Sequence, residues 1–96
     1  MVVQSSLYRD KMGSVEFICL YVILTHVGTY YTGITNNLVR RWKEHNTGQS
    51  SYLSKFKPKE VIHVEFYVSR QVAARKERHI KRVGAKKYLL MLKYRL

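Results

Sequence analysis

The stretch FICLYVILT, from Phe17 to Thr25, is almost wholly apolar and rich in β-branched and aromatic residues. Its length and content suit a buried central strand better than a helix. In a chain of 96 residues, that leaves room for one domain with one modest core. His26-Val27-Gly28 reads as a short turn and Thr29-Tyr30-Tyr31-Thr32-Gly33-Ile34 as a second strand, so the two runs form a hairpin.

After the hairpin the period changes. Asn36 and Asn37 are good N-cap residues for a helix through LVRRWKEHNTG to Gly48, with Leu38 and Trp42 facing the core. Gln49 to Lys59 reads as a polar loop closed by Pro58. Val61 to Tyr67 alternates, which predicts a half-buried third strand. Ile62, Val64 and Phe66 take one face of it and His63, Glu65 and Tyr67 the other. Ser69 caps a second helix, QVAARKERHIKRV, that stops at Gly84. A last helix from Ala85 carries Ala85, Tyr88, Leu89 and Leu92 on one stripe. Residues 1–14 read as a loose arm and 15–96 as the single domain. The order ββαβαα predicts a small α+β domain with a three-stranded, mainly antiparallel sheet flanked by helices.

Charge narrows the partner. Lys and Arg total 18 against 6 Asp and Glu, a net charge of +12, while 46% hydrophobic residues mark a globular domain rather than a disordered basic tail. A folded domain this basic calls for a polyanion, with nucleic acid ahead of an anionic membrane surface. The membrane reading lacks a lysine-rich amphipathic helix with exposed aromatic anchors, and no stretch approaches the ~20 apolar residues of a span. The single cysteine, Cys19, excludes an internal disulfide and a Cys-based zinc knuckle. It reads as a small buried hydrophobe in a reducing compartment. The histidines His26, His45, His63 and His79 show no HExxH spacing, so zinc is not expected. The first residues lack the order of a signal peptide, which points to the cytoplasm.

The acids Asp10, Glu16, Glu44, Glu60, Glu65 and Glu77 are scattered, with no DxD or ExK-like grouping. A two-metal centre for phosphodiester cleavage is therefore not expected. One carboxylate with one Mg²⁺ stays open, because that ion takes most of its ligands from phosphate and water. Glu77 stands between Ala73 and Ile80 on an inward-facing stripe, where a carboxylate is costly unless paired or bound to a cation. The same spacing allows a surface pair with Arg78, Lys81 or Arg82. Arg41 and His45 share a helical face near Leu38. From there Arg41 can offer its planar fork to a phosphate, or snorkel into solvent. Tyr21 and Tyr31 read as core residues with satisfied hydroxyls unless they converge with Arg41 and Glu77.

On these residues the segment from Tyr21 to Lys81 resembles the GIY-YIG nuclease family, especially its small stand-alone bacterial members. Tyr31-Thr32-Gly33 stands as the second half-motif, and Arg41 and His45, the latter in HNTG, follow it where the family places its arginine and a His or Tyr. The family's metal-binding glutamate lies in a helix reading A…E..IK, which matches Ala73, Glu77 and Ile80-Lys81. The first half-motif is degenerate: Cys19-Leu20-Tyr21 keeps only its tyrosine. Many members carry an Asn further along, where this chain has Leu89.

The resemblance implies phosphodiester cleavage with a single Mg²⁺ (or Mn²⁺) on Glu77. Arg41 would bind a non-bridging oxygen and offset charge developing in the transition state. Tyr21 or Tyr31 would position and deprotonate the attacking water, with His45 beside them. An isolated tyrosine has a pKa of ~10, so such a base needs nearby positive charge, from the metal or Arg41. DNA, branched, nicked or duplex, is the expected partner, with Lys43, Lys55, Lys57, Arg75 and Lys81 as candidate phosphate contacts. Tyr52 either stacks on exposed bases or packs beneath its loop. No base-reading module is recognised in the sequence, so sequence-specific cleavage is not expected without a targeting partner protein. The expectation is a Mg²⁺-dependent endonuclease or nickase with little intrinsic sequence specificity, serving repair, recombination or mobile-element processing. The competing reading is a non-catalytic nucleic-acid-binding protein that keeps the nuclease fold.

Overall fold

A computed structural model describes residues 17–48 and 55–94. The arm expected over 1–14 and Tyr52 lie outside the described residues. Among those described, the elements follow in the expected order: β1 (Ile18–Thr25), β2 (Tyr30–Thr35), α1 (Leu38–Asn46), β3 (Pro58–Tyr67), α2 (Arg70–Val83) and α3 (Ala85–Lys93).

The apolar run is the middle strand of a sheet ordered β2-β1-β3, antiparallel on both sides. Helices cover both of its faces, which is why β1 does not alternate in hydropathy. Cys19, Tyr21 and Ile23 point to one side and meet Leu38 and Trp42 of α1, together with Tyr31, Val61 and Val64. Leu20 points to the other, against Ile80 of α2 and Tyr88 of α3, with Leu89 and Leu92 packed around them. Cys19 is buried in the first of these clusters, as its sequence setting implied.

Local signals set the helix ends. The Asn37 side chain accepts the Arg40 N–H at 3.0 Å, and the Ser69 hydroxyl accepts the Val72 N–H at 3.3 Å. Gly84, at φ +100°, ends α2 by donating its N–H to the Ile80 carbonyl and turns the chain directly into α3.

β3 departs from its expected pattern twice. It starts at Pro58, paired with Thr25, rather than at Val61. A proline in the first position of an edge strand gives up no ladder donor, so the apparent loop breaker begins the strand. The alternation is also broken: Val22 pairs with His63 while Ile23 pairs with Val61, which leaves Ile62 as an extra residue. The bulge puts Val61 and Val64 on the same side and leaves Ile62 and Phe66 exposed. His63, Glu65 and Tyr67 turn toward α2 and α3, on the more buried side. There Glu65 accepts hydrogen bonds from the Tyr67 hydroxyl, from His63 Nε2 at 2.7 Å and from the Tyr88 hydroxyl at 2.5 Å. Burial pushes the Glu65 carboxyl up, but these donors together outweigh it and hold it below its usual range.

Candidate active site

Tyr21 leaves β1 on the α1 side and is 1% exposed. Tyr31 pairs with Ile23 in the ladder and so projects from the same face, its ring centroid 6.4 Å from that of Tyr21. Gly33 lies directly across from Tyr21. His45, on the last turn of α1, closes the group with its ring 5.8 Å from Tyr21 and 5.2 Å from Tyr31. The Tyr21 hydroxyl and His45 Nε2 are 2.8 Å apart.

Arg41, one turn before His45, binds Glu44 through Nη1 at 2.8 Å, and its charge acts on the Tyr21 hydroxyl. The bond to Glu44 raises its pKa further, so its charge is permanent. It does not snorkel freely. Glu44 in turn is held below the ordinary carboxylate range by Arg41, with Arg40 3.6 Å away. Glu44 was absent from the sequence-derived site, although its i, i+3 spacing to Arg41 was visible.

Burial sets the protonation of the group. It pushes the Tyr21 hydroxyl up to about 12, with Tyr31 and Glu77 adding to the rise and Arg41 opposing it. Burial, then the Arg41 charge, depress the pKa of His45, against a smaller pull from Glu44. At neutral pH both groups are therefore uncharged.

Glu77 rises from α2 between Ala73 and Ile80, each fully buried, and its own side chain is 20% exposed. Of the three partners its spacing allowed, Lys81 is the one it meets, at 3.1 Å. Its charge acts on Tyr21, so α2 brings a carboxylate within electrostatic range of the group built by β1, β2 and α1. A cavity of about 380 Å³ lined by Tyr30, Tyr31, Thr32, Lys81, Gly84 and Ala85 adjoins it.

Among the described residues no three His, Cys, Asp or Glu side chains cluster as a metal cage. Glu44 is held by Arg40 and Arg41 and Glu77 by Lys81 alone, so of these two Glu77 is the carboxylate with fewer partners for a cation to displace. A single hard oxygen donor is the kind of ligand Mg²⁺ takes from a protein when it completes its shell from water and phosphate. Lys43, Lys55, Lys57 and Arg75 are exposed, whereas Lys81 is engaged with Glu77. Among the described residues no helix is long and apolar enough to cross a membrane.

The profile of the GIY-YIG catalytic domain matches residues 17–89. A UPF0213 protein of Halobacterium salinarum is 38% identical over 66 residues, which are 68% of this chain and 86% of that protein. A UPF0213 protein of Bacillus cereus is 30% identical over 69 residues, 71% of this chain and 72% of that one. In fold, the chain is similar to the solution NMR structure of a UPF0213 protein from Bacillus halodurans, with a TM-score of 0.52 at 24% identity, over 82% of this chain and 85% of that one. Such a domain implies nuclease-type function. The chain belongs to the GIY-YIG family, alongside the small UPF0213 proteins.

Proposed function

We propose that this protein is a Mg²⁺-dependent DNA endonuclease or nickase with little sequence preference. The observation that carries this reading is the gathering of Tyr21, Tyr31 and His45 on one face of the sheet, one helical turn from Arg41. Arg41 binds a non-bridging phosphate oxygen and offsets charge that develops as the bond breaks. Tyr31, half-buried beside Arg41, orients and activates the attacking water. Tyr21 is the poorer candidate for that task, because its hydroxyl is buried, turned to His45 and pushed up to about 12. Mg²⁺ (or Mn²⁺) held by Glu77 would supply positive charge on the leaving-group side of the phosphate. Exposed Lys43, Lys55, Lys57 and Arg75 give contacts to backbone rather than to bases, which supports a substrate recognised by charge and shape.

The test is supercoiled plasmid incubated with and without Mg²⁺. Nicked or linear product that needs the ion, and that disappears in Glu77→Ala, is the expected result. Plasmid that stays intact with Mg²⁺ and with Mn²⁺ would overturn it.

One observation favours a second reading, a DNA-binding protein without turnover. Leu89, at the place of the family Asn, packs into the apolar cluster of Leu20, Ile80 and Tyr88 and offers no polar group to a substrate. Salt-sensitive DNA binding with intact plasmid would mark that case.

A further inference from the structure

The Tyr21 hydroxyl keeps its proton and lies 2.8 Å from His45 Nε2, so we assign the hydroxyl as the donor and Nε2 as the acceptor. With the ring neutral and Nε2 accepting, the one imidazole proton of His45 sits on Nδ1; this tautomer is assigned from the hydrogen-bond network. That Nδ1 is buried, and among the described residues nothing accepts from it.

His45 also lines a cleft of about 410 Å³ together with His26, Asn46, Gly48, Lys57 and Pro58. The cleft lies where the β1–β2 turn, the end of α1 and the start of β3 meet. Its rim is tied, because the His26 N–H donates to the Lys57 carbonyl at 3.1 Å. Lys57 adopts φ 48°, a left-handed conformation that a non-glycine residue takes up at a cost. The strained residue Lys57 and His26, from segments far apart in sequence, thus meet at the lining of one cleft.

We propose that this cleft is a second phosphate subsite, which takes a backbone phosphate of the nucleic-acid strand beyond the scissile one. The strand is inferred from the nuclease reading above; the phosphate chemistry is not. A phosphate oxygen would accept the Nδ1 proton of His45 while Lys57 and His26 face the charge. The end of α1 opposes an anion with its last carbonyls, but most are already occupied. The Lys43 and His45 carbonyls accept from the Thr47 and Gly48 amides, the Glu44 carbonyl from the Thr47 hydroxyl, and the Trp42 carbonyl from Asn46. An acceptor at Nδ1 strengthens Nε2 as an acceptor in turn, so a filled cleft holds the Tyr21 hydroxyl more firmly. His45 thus acts as a positioning residue between subsite and tyrosines.

The experiment titrates isotope-labelled protein at constant ionic strength with inorganic phosphate, with a 5′-phosphorylated thymidine dinucleotide and with thymidine. It is read by NMR at the Gly48 and Lys57 amides and at His45 Nδ1. Phosphate and dinucleotide should shift all three saturably, the dinucleotide more tightly, and thymidine should not. The Lys57→Gln/His26→Gln double variant, altered at two exposed positions, should bind at least about tenfold more weakly. Shifts reproduced by chloride, binding of thymidine as tight as that of the dinucleotide, or an unchanged affinity in the double variant would each overturn the subsite. Inorganic phosphate binding as tightly as the dinucleotide would overturn its assignment to a strand. Saturation in a protein that cuts no DNA would uphold the subsite and sink the nuclease reading; cleavage without saturation would do the reverse.

Discussion

Gly33 faces Tyr21 across the β1–β2 pair, and a Cβ added to it would lie 2.5 Å from the Tyr21 hydroxyl oxygen and 2.7 Å from the ring carbon that bears it. The glycine of the second half-motif is thus a matter of space. Its φ is not among the positive ones, so backbone freedom is not the reason. The Tyr21 hydroxyl lies where a side chain would be, and from there it meets His45.

Gly33→Ala should therefore act through Tyr21. The ring must move, the bond to His45 Nε2 must lengthen, and the overpacking should cost about 1–3 kcal/mol in urea unfolding. The Tyr21 and His45 ring resonances should shift together. An alanine variant with unchanged stability and unchanged rings would show that the pair has slack the distances do not admit.

Much of this arrangement was legible in the sequence. FICLYVILT suited a buried strand better than a helix, and Asn37, Ser69 and Gly84 marked helix ends through local chemistry. Spacing alone did not show that Tyr21, Tyr31, Arg41 and His45 converge; the family resemblance brought them together. What was hidden came from pairing. The bulge at Ile62 leaves no mark in an alternating run, which does not say that the helices cover the face of His63, Glu65 and Tyr67. Pro58 read as a loop closer because a strand edge cannot be told from a strand centre without its neighbours. Glu44 was overlooked because a helical acid among arginines is ordinary on solvated surfaces; only the tyrosines beyond Arg41 give the pair meaning.

Glu44→Gln should separate binding from turnover. Arg41 loses the partner that fixes one edge of its guanidinium, 2.8 Å away, while the site loses a negative charge near the phosphate. DNA should bind at least as tightly, and the cleavage rate at saturating substrate should fall about tenfold through misaimed charge. Turnover equal to that of the native protein would remove Glu44 from the positioning of Arg41.

Acid should loosen the fold through His45. Its folded pKa lies below the ordinary 6.5, chiefly from burial and then from Arg41, while Glu44 pulls the other way. A group with a depressed folded pKa gives stability that is present above its unfolded value, near 6.5, and is lost as pH falls below it. Tyr21 and Tyr31 also pack against this ring. Urea midpoints should thus decline from pH 7 to pH 5, and His45→Gln should flatten that slope. Glu65 works in the same direction but lower, its contribution fading below 4.5. A slope left intact in His45→Gln would place the titration elsewhere.

Tyr88→Phe tests the anchor between β3 and α3. The variant keeps the ring that Lys76 covers at 5.0 Å and removes the hydroxyl that donates to Glu65 at 2.5 Å. Glu65 retains His63 and Tyr67, and its side chain is 19% exposed, so the loss should be about 1–2 kcal/mol rather than the full value of a buried charged bond. Tyr94→Phe, at a residue 74% exposed, is the matched control and should change nothing. Equal midpoints for the two variants would show that the Tyr88 hydroxyl holds nothing.

Arg41→Ala and Glu77→Ala should both end cleavage, but for different reasons that binding can resolve. Removing Arg41 deletes the donor at the phosphate, a loss of about 10²–10³ in rate for groups of this kind. It also removes one phosphate contact, so the logarithmic dependence of DNA affinity on salt should become shallower by about one. Removing Glu77 does the opposite to binding. A carboxylate leaves the vicinity of the phosphate, and Lys81, now bonded to Glu77 at 3.1 Å, is released to meet the strand. Affinity for DNA should stay the same or tighten, with no metal-stimulated cleavage at any Mg²⁺ concentration. Plasmid nicking at various salt concentrations, paired with fluorescence anisotropy on a labelled duplex, measures both effects. Full Mg²⁺-stimulated nicking in Glu77→Ala would strip this residue of its role as metal ligand. Weaker DNA binding in the same variant would show that Lys81 serves the fold of α2 rather than the phosphate.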